Sequence, residues 1–261
     1  LRQIRVPYSQ DYMWATLRKH TRIATDIVAL FHMRFDPRLE LSETERSARE
    51  ADTTKAIETA LQAVDSLDED RILRHFVNAV TAAIRTNFYQ RGPGGRPKDL
   101  IAIKFESRKV DGMPLPRPLY EIFVYSPRVE AVHLRFGKVA RGGIRWSDRP
   151  QDFRTEILGL VKAQNVKNAV IVPVGAKGGF IPKYLPVSGT REAIAAEGVA
   201  AYKLFISTLL DITDNIGTGT RGVIPPPDVL RHEGDDPYLV VAADKGTATF
   251  SDIANDLAIA H

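Results

Sequence analysis

Residues 172–180 read Val-Pro-Val-Gly-Ala-Lys-Gly-Gly-Phe. An apolar run reaches Pro173 and then meets small residues, with Lys177 standing between Gly175 and Gly178-Gly179. A second apolar run, residues 238–243, ends in Asp244-Lys245-Gly246-Thr247. Both are expected to be strands that end in glycine-containing turns. In open α/β sheets chemistry lies just past the carboxyl ends of strands, so Lys177 and Asp244 are expected to face one cleft. A lysine shielded from water loses hydration of its charged form, and its pKa falls. Such a lysine can exchange protons and polarise a carbonyl near neutral pH, with an aspartate beside it to carry a proton. Glycines let a substrate approach without a Cβ in the way. The plainer alternatives are an exposed loop lysine and a turn aspartate.

A second cationic group lies upstream. Arg141 precedes Gly142-Gly143, and Arg145 follows them. Gln164 and Lys167 are three residues apart and share a face at the end of an expected helix. Such a set suits a small dicarboxylate, with an arginine fork on one carboxylate and the lysine and amide on the other. Each part also has a plainer reading. Lys167 is by default a partner of the helix dipole, and Arg141 a solvated loop residue. Residues 175–179 lack the Gly-Lys-Ser/Thr ending of a phosphate-binding loop. The six histidines show no pair at metal-ligand spacing, and no metal is expected.

The elements that would position these residues divide into two regions. Residues 1–92 read as a helical segment. One helix is expected over 11–35, stopped by Pro37, and a second from Ser42 to about Val64, where Glu45 completes a capping box. A third runs from about Asp68 and takes in Ala83 and Ile84. Glycines and prolines at 90–99 make a loop. Residues 93–261 read as an α/β domain. Short β-rich runs cover 100–107, 120–126 and 130–137, and 141–143 is expected to be a turn. Ser147 reads as the N-cap of a helix to about Lys167. Residues 168–174 read as a buried strand, 190–211 as a long helix and 217–228 as a loop. A last helix is capped by Ser251 or Thr249. Helices alternating with apolar strands argue for an α/β fold with a mixed, partly parallel sheet and flanking helices.

Composition excludes several classes. With 44% hydrophobic and 26% charged residues among 261, the balance is that of a globular protein. No apolar run stands out at the roughly 20 residues needed to span a bilayer, and the N-terminal stretch lacks the pattern of a signal peptide. The absence of cysteine rules out disulfides and fits a reducing cytosol. A formal charge of +4 is weak for nucleic acid and compatible with a small anionic substrate. The expectation is a cytoplasmic protein with no nucleic-acid or membrane partner. Because the chain begins with Leu1, it reads as a piece of something longer.

Residues 141–180, Arg-Gly-Gly-Ile-Arg-Trp through Gly-Ala-Lys-Gly-Gly-Phe, closely resemble the substrate domain of glutamate dehydrogenases. With residues 1–10 and 234–255 added, the likeness is to the large NAD-dependent glutamate dehydrogenases of bacteria and covers nearly the whole chain. The resemblance implies that Lys177 is the catalytic lysine and Asp244 the catalytic carboxylate. It implies that Arg141, with Gly142 behind it, meets the substrate side-chain carboxylate, where smaller relatives carry lysine. It matches Gln164 and Lys167 to the pair on the α-carboxylate. It further implies glutamate, 2-oxoglutarate and ammonia as substrates and products, NAD as cofactor, and a homo-oligomer in the full-length enzyme. NAD would be held mainly by a Rossmann domain outside this chain. The nearest glycine pattern, 217–222, follows a helix rather than a strand, so the chain alone is not expected to carry hydride chemistry. Two alternatives remain: another amino-acid dehydrogenase with an apolar substrate pocket, or a non-catalytic ligand-binding or regulatory module.

Overall fold

The computed structural model describes residues 1–167, 174–217 and 222–261, and of residues 165–167 the backbone alone. Four helices open the chain. Helix α1 (Gln10–Lys19) is capped by Ser9, and α2 (Thr21–Phe35) follows at once. The single helix expected over 11–35 breaks at His20, whose φ of −104° and ψ of 53° leave the helical region. The capping box at α3 (Glu43–Leu61) is formed: Ser42 Oγ accepts from the Glu45 amide and Glu45 Oε2 from the Ser42 amide. Helix α4 (Leu67–Ala82) starts at Ser66, with Asp68, Glu69 and Asp70 at the positive end of its dipole. Ile23, Ile27 and Leu30 pack on Ile57, Leu61, Leu73 and Val77, giving these helices a core of their own.

Ala83 and Ile84 do not prolong α4. They open β1 (Ala83–Thr86), which pairs antiparallel with β2 (Ile101–Glu106). Arg85 explains the change. Its guanidinium is fully buried and holds Asp214 at 2.8 Å and Glu233 at 2.6 Å, contacts that a helix continuing past Ala82 could not make. Long-range pairing overrides the helical periodicity.

The sheet continues through β3 (Tyr120–Tyr125), β4 (Val129–Arg135) and β5 (Ala140–Trp146). Helix α5 (Phe153–Lys167) then leads towards β6 (Val174–Pro182). After α6 (Arg191–Leu210), β7 (Asn215–Ile216) and β8 (Val223–Ile224) form a separate pair. The chain then adds β9 (Ala242–Ala243) and α7 (Ser251–Ala260). The seven-stranded order is β1-β2-β3-β4-β6-β5-β9. Strand β5 lies parallel to β6 and β9, and the remaining neighbours are antiparallel, which makes the sheet mixed and partly parallel. On one face Ala131, Ile144 and Phe180 pack against Tyr202, Phe205 and Leu209 of α6 and Phe250 just ahead of α7. On the other, Val132, Leu134 and Ile181 meet Phe153, Ile157 and Val161 of α5. By length and composition α6 could cross a membrane. Its apolar character is accounted for here by burial of Ala201, Tyr202, Phe205, Ile206 and Leu209 against the sheet.

The glycines are not where the chain turns. Residues 141–143 lie inside β5, and 175–179 lie inside β6. A Cβ on Gly142 would sit 1.4 Å from the carbonyl oxygen of Ala176, and one on Gly143 would sit 2.7 Å from the carbonyls of Ala242 and Ala243. These glycines bring backbones together, the other use of glycine in a strand. Of the strand expected over 168–174, residues 168–173 lie outside the described residues, and Val174 opens β6. Of the loop at 217–228, residues 218–221 likewise lie outside them. Ser147 is not a helix cap. It accepts from the Arg149 amide and donates to Glu156 at 2.6 Å, and α5 begins only at Phe153. At α7 neither Ser251 nor Thr249 caps; Phe250 takes the N-cap position.

The strand expected over 238–243 shortens to Ala242–Ala243 because its earlier carbonyls are bound by side chains. Arg135 donates to the Tyr238 carbonyl at 2.7 Å, and His133 Nε2 donates to that of Val240 at 2.9 Å. His133 is buried in β4, and desolvation lowers its pKa to about 4 despite the raising effect of the Val240 carbonyl. A histidine held neutral this way stabilises the fold fully above its ordinary pKa near 6.5, and that stability is lost as pH falls towards 4. Replacing it with a side chain that does not titrate should flatten this slope. Urea unfolding of wild type and His133→Gln between pH 7 and pH 4 should show wild-type stability falling faster, by on the order of 3 kcal/mol across the window. Parallel pH dependences would show that His133 is not held neutral.

Candidate active site

Lys177 lies in β6 between Leu134 of β4 and Gly143 of β5. It thus projects from the body of a strand, with glycine as its parallel neighbour. Asp244 immediately follows β9, on the far side of β5. Lys177 Nζ donates to Asp244 Oδ2 at 2.7 Å, so the two groups meet across β5 as the shared-cleft expectation required. The lysine is not an isolated cation in an apolar hollow; a carboxylate partners it. Both side chains keep partial access to water, at 17% and 18%.

The aspartate is held by its own turn. Gly246 adopts a φ of 84°, a left-handed conformation that favours glycine. Thr247 Oγ1 accepts from the Asp244 amide at 3.0 Å and donates to the Ile144 carbonyl of β5 at 2.6 Å. The Asp244 carboxylate also accepts from the Lys245 amide through Oδ1, at 2.8 Å. Burial alone would raise its pKa. The Lys177 hydrogen bond, the Lys245 amide and the charges of Lys177 and Arg145 outweigh that and hold it below the usual aspartate value. Asp244 is therefore an ionised acceptor with a cation already in place.

The other expected residues fall around this pair in different ways. Arg141 lies second in β5 and is exposed, and among the described residues its guanidinium makes no hydrogen bond or ion pair. Its carbonyl accepts from Gln164 Nε2 at 2.7 Å, which ties the last part of α5 to the start of β5. Gln164 Oε1 is buried without a partner. Gly142 is pressed against Ala176, so the room its missing Cβ leaves is filled by backbone. Lys167 ends α5, and its side chain lies outside the described residues. The 450 Å³ cavity bounded by Met13, Trp14, Phe76 and Phe123 lies on the helical side of the fold and includes none of these residues.

Two further groups stand beside the pair: Arg145, which the sequence groups with the other cations, and Glu156, which it does not single out. Arg145 Nη2 stands 3.7 Å from Asp244 Oδ1, and its Nη1 donates to Glu156 Oε1 at 3.2 Å. Arg145 is two residues from Gly143 and so shares its face of β5. The sequence did carry the arginine beside the glycine pair, but nothing in it pointed to Glu156 on α5.

Residues 56–261 match the family model described as the catalytic domain of bacterial NAD-glutamate dehydrogenase, and residues 1–37 match glutamate dehydrogenase helical motif 3. The chain is 56% identical over 258 residues to a protein of Pseudomonas aeruginosa named NAD-specific glutamate dehydrogenase, covering 99% of this chain. It is 57% identical over 264 residues to the protein of that name from Mycobacterium tuberculosis, again covering 99% of this chain. The Neurospora crassa protein of the same name is 25% identical over 76% of the chain. The chain spans 16% of the length of each of the two bacterial relatives. On these matches, this chain belongs to the bacterial NAD-glutamate dehydrogenase family.

Proposed function

We propose that this chain supplies the substrate-binding part of the catalytic region of an NAD-dependent glutamate dehydrogenase. The whole protein would convert L-glutamate to 2-oxoglutarate and ammonia, as a cytoplasmic homo-oligomer. Residues 1–92 would form its helical segment, lending β1 to the sheet, and residues 93–261 the substrate domain. The observation that carries this reading is the 2.7 Å contact of Lys177 and Asp244 across β5.

The residues present do not fit NAD as their own ligand. The space beside Gly142 and Gly143 is filled by the backbone of Ala176, Ala242 and Ala243, and that beside Gly178 and Gly179 by Ile144 and Ile157. No glycine pair among them is an open cradle for a pyrophosphate. NAD would be held mainly by a domain outside this chain, and no step is assigned to it here.

The chain's own residues have three tasks. Arg141 takes the side-chain carboxylate, and Gln164 with Lys167 takes the α-carboxylate. Gly142 offers its backbone beside Arg141 with no side chain in the way. Asp244 accepts a proton from the substrate ammonium, because the amine must be neutral before its carbon is oxidised. Once the carbon is an iminium, Lys177 polarises the attacking water and steadies the oxygen that becomes the keto group, and Asp244 returns a proton to the departing ammonia. The pairing of Lys177 with Asp244 supports a reading in which both groups would act from one side of the substrate carbon. An apolar amino-acid substrate is disfavoured, since its side chain would offer Arg141 no carboxylate to bind.

In the full-length enzyme, Lys177→Ala and Asp244→Asn should each lower kcat by roughly 10²–10⁴-fold. Asp244→Asn should still bind 2-oxoglutarate, as read by calorimetry. Near-wild-type turnover in either variant removes that residue from catalysis. Arg141→Met should shift preference from glutamate towards norvaline by about 1.5–3 kcal/mol in kcat/KM, the cost of one charged contact. If the ratio of the two substrates does not change, Arg141 does not read the distal carboxylate.

A further inference from the structure

Asp244 is flanked by two cations from two strands. Lys177 of β6 holds Oδ2 at 2.7 Å, and Arg145 of β5 stands 3.7 Å from Oδ1. The second contact is longer because Arg145 is shared. Its Nη1 is bound to Glu156 of α5 at 3.2 Å, and Ser147 binds the other oxygen of that carboxylate at 2.6 Å. The Nε of Arg145 is buried without a partner. The remaining groups on the aspartate are the amide of Lys245 on its Oδ1 and, at the backbone, Thr247. A line of alternating charge therefore runs from α5 through β5 and the β9 turn to β6: Glu156, Arg145, Asp244, Lys177.

We propose that Arg145, braced by Glu156 and Ser147, is a positioning residue that keeps the Asp244 carboxylate ionised and turned towards the substrate when Lys177 leaves it. This rests on the reading of Lys177 and Asp244 given above. In that reading Lys177 serves the substrate oxygen during turnover, so its hydrogen bond to Oδ2 is given up. Among the described residues Arg145 is then the remaining side-chain cation on Asp244, and the Lys245 amide the remaining hydrogen bond. A nearby positive charge favours the ionised carboxylate. Glu156 works against this by competing for the guanidinium and by adding negative charge near Asp244. Arg145 and Glu156 thus act on Asp244 with opposite sign.

The test is the pH dependence of kcat for glutamate oxidation by the full-length enzyme, whose acid limb reports groups in the enzyme–substrate complex. The base form of Asp244 is the active one, so turnover falls as pH drops through its pKa. Arg145→Gln should move the acid limb up by about one pH unit, with a small effect on KM, and Arg145→Lys should restore part of the shift. Glu156→Gln should move the limb down. An acid limb that stays in place in folded Arg145→Gln overturns the proposal. If Arg145→Gln does not fold, Glu156→Gln decides alone: a downward shift supports the proposal, and an unmoved or raised limb overturns it. Asp244→Asn separates this from the reading beneath it. Retained turnover there would remove the catalytic reading itself. Collapsed turnover there, with unmoved limbs in the other two variants, would leave the catalytic reading standing and remove only the role of Arg145.

Discussion

The closeness of β5 to its neighbours governs the rest of the site. Gly142 lies so near Ala176 that no side chain fits, and Gly143 is crowded in the same way by the carbonyls of Ala242 and Ala243. These contacts set the register in which Gly143 is the parallel neighbour of Lys177. They also leave the surface of β5 bare at that row, so Lys177 can reach across it to Asp244 beyond β9. A side chain at 143 would block that crossing as well as the strand contact. The glycine cluster therefore makes the ion pair possible by removing obstruction between two charged groups.

The opposite face of the sheet fixes where Asp244 can be. The segment leading to β9 crosses that face over buried polar groups. Lys104 of β2 holds Glu233 at 2.6 Å and Asp236 at 2.7 Å, and Arg135 of β4 also pairs with Asp236. Burial alone would raise the Asp236 carboxyl, but Lys104 and Arg135 hold it below the usual range. Arg85 and the amide of Asp236 both bind Asp214, so the β1 edge, the start of the β7 pair and this segment share one charge network. Arg135 and His133 then hold the carbonyls of Tyr238 and Val240. Breaking a buried pair by removing one partner costs about 3–5 kcal/mol, so the path to Asp244 has few alternatives. Polar burial on one face thus positions the half-buried Asp244 carboxylate on the other.

Much of this was legible in the sequence where local physics decides. The Ser42–Glu45 capping box, the long helix that becomes α6 and the β-rich runs of β2, β3 and β4 appear as read, because side-chain capping, helical periodicity and strand patterning are local. The proximity of Lys177 and Asp244 was also anticipated, although the route differed. The glycines were read as turns, since Gly-Gly and Gly-x-Gly usually supply positive φ. In β5 and β6 they serve strand contact instead, and that use depends on the neighbouring strand. Ala83 and Ile84 fitted the helical period but were drawn into β1 by Arg85 and its distant acids. Ser147 looked like a cap because a polar residue ahead of a helical run commonly is one; its partner Glu156 is nine positions on. Arg145 was visible as a cation, but its tie to Glu156 depends on α5 lying over β5.

The charges of the site divide into a matched line and a cation outside it. Lys177 and Arg145 are matched by Asp244 and Glu156, and these four form one line of contacts. That line is neutral and needs no ligand to balance it. Arg141, whose guanidinium makes no hydrogen bond or ion pair among the described residues, stands outside that line, beside the tie between β5 and α5 made by Gln164 and the Arg141 carbonyl. In the proposed function Arg141 would meet a substrate carboxylate, which the side chain of an apolar amino acid does not offer. Gln164 presents an unpaired buried Oε1 in the same tie, an acceptor that a ligand donor could meet. Under the proposed function, substrate recognition would draw on Arg141 at the start of β5, and proton transfer on the Lys177–Asp244 pair that Arg145 flanks near its end, with the glycine pair between them keeping the surface clear.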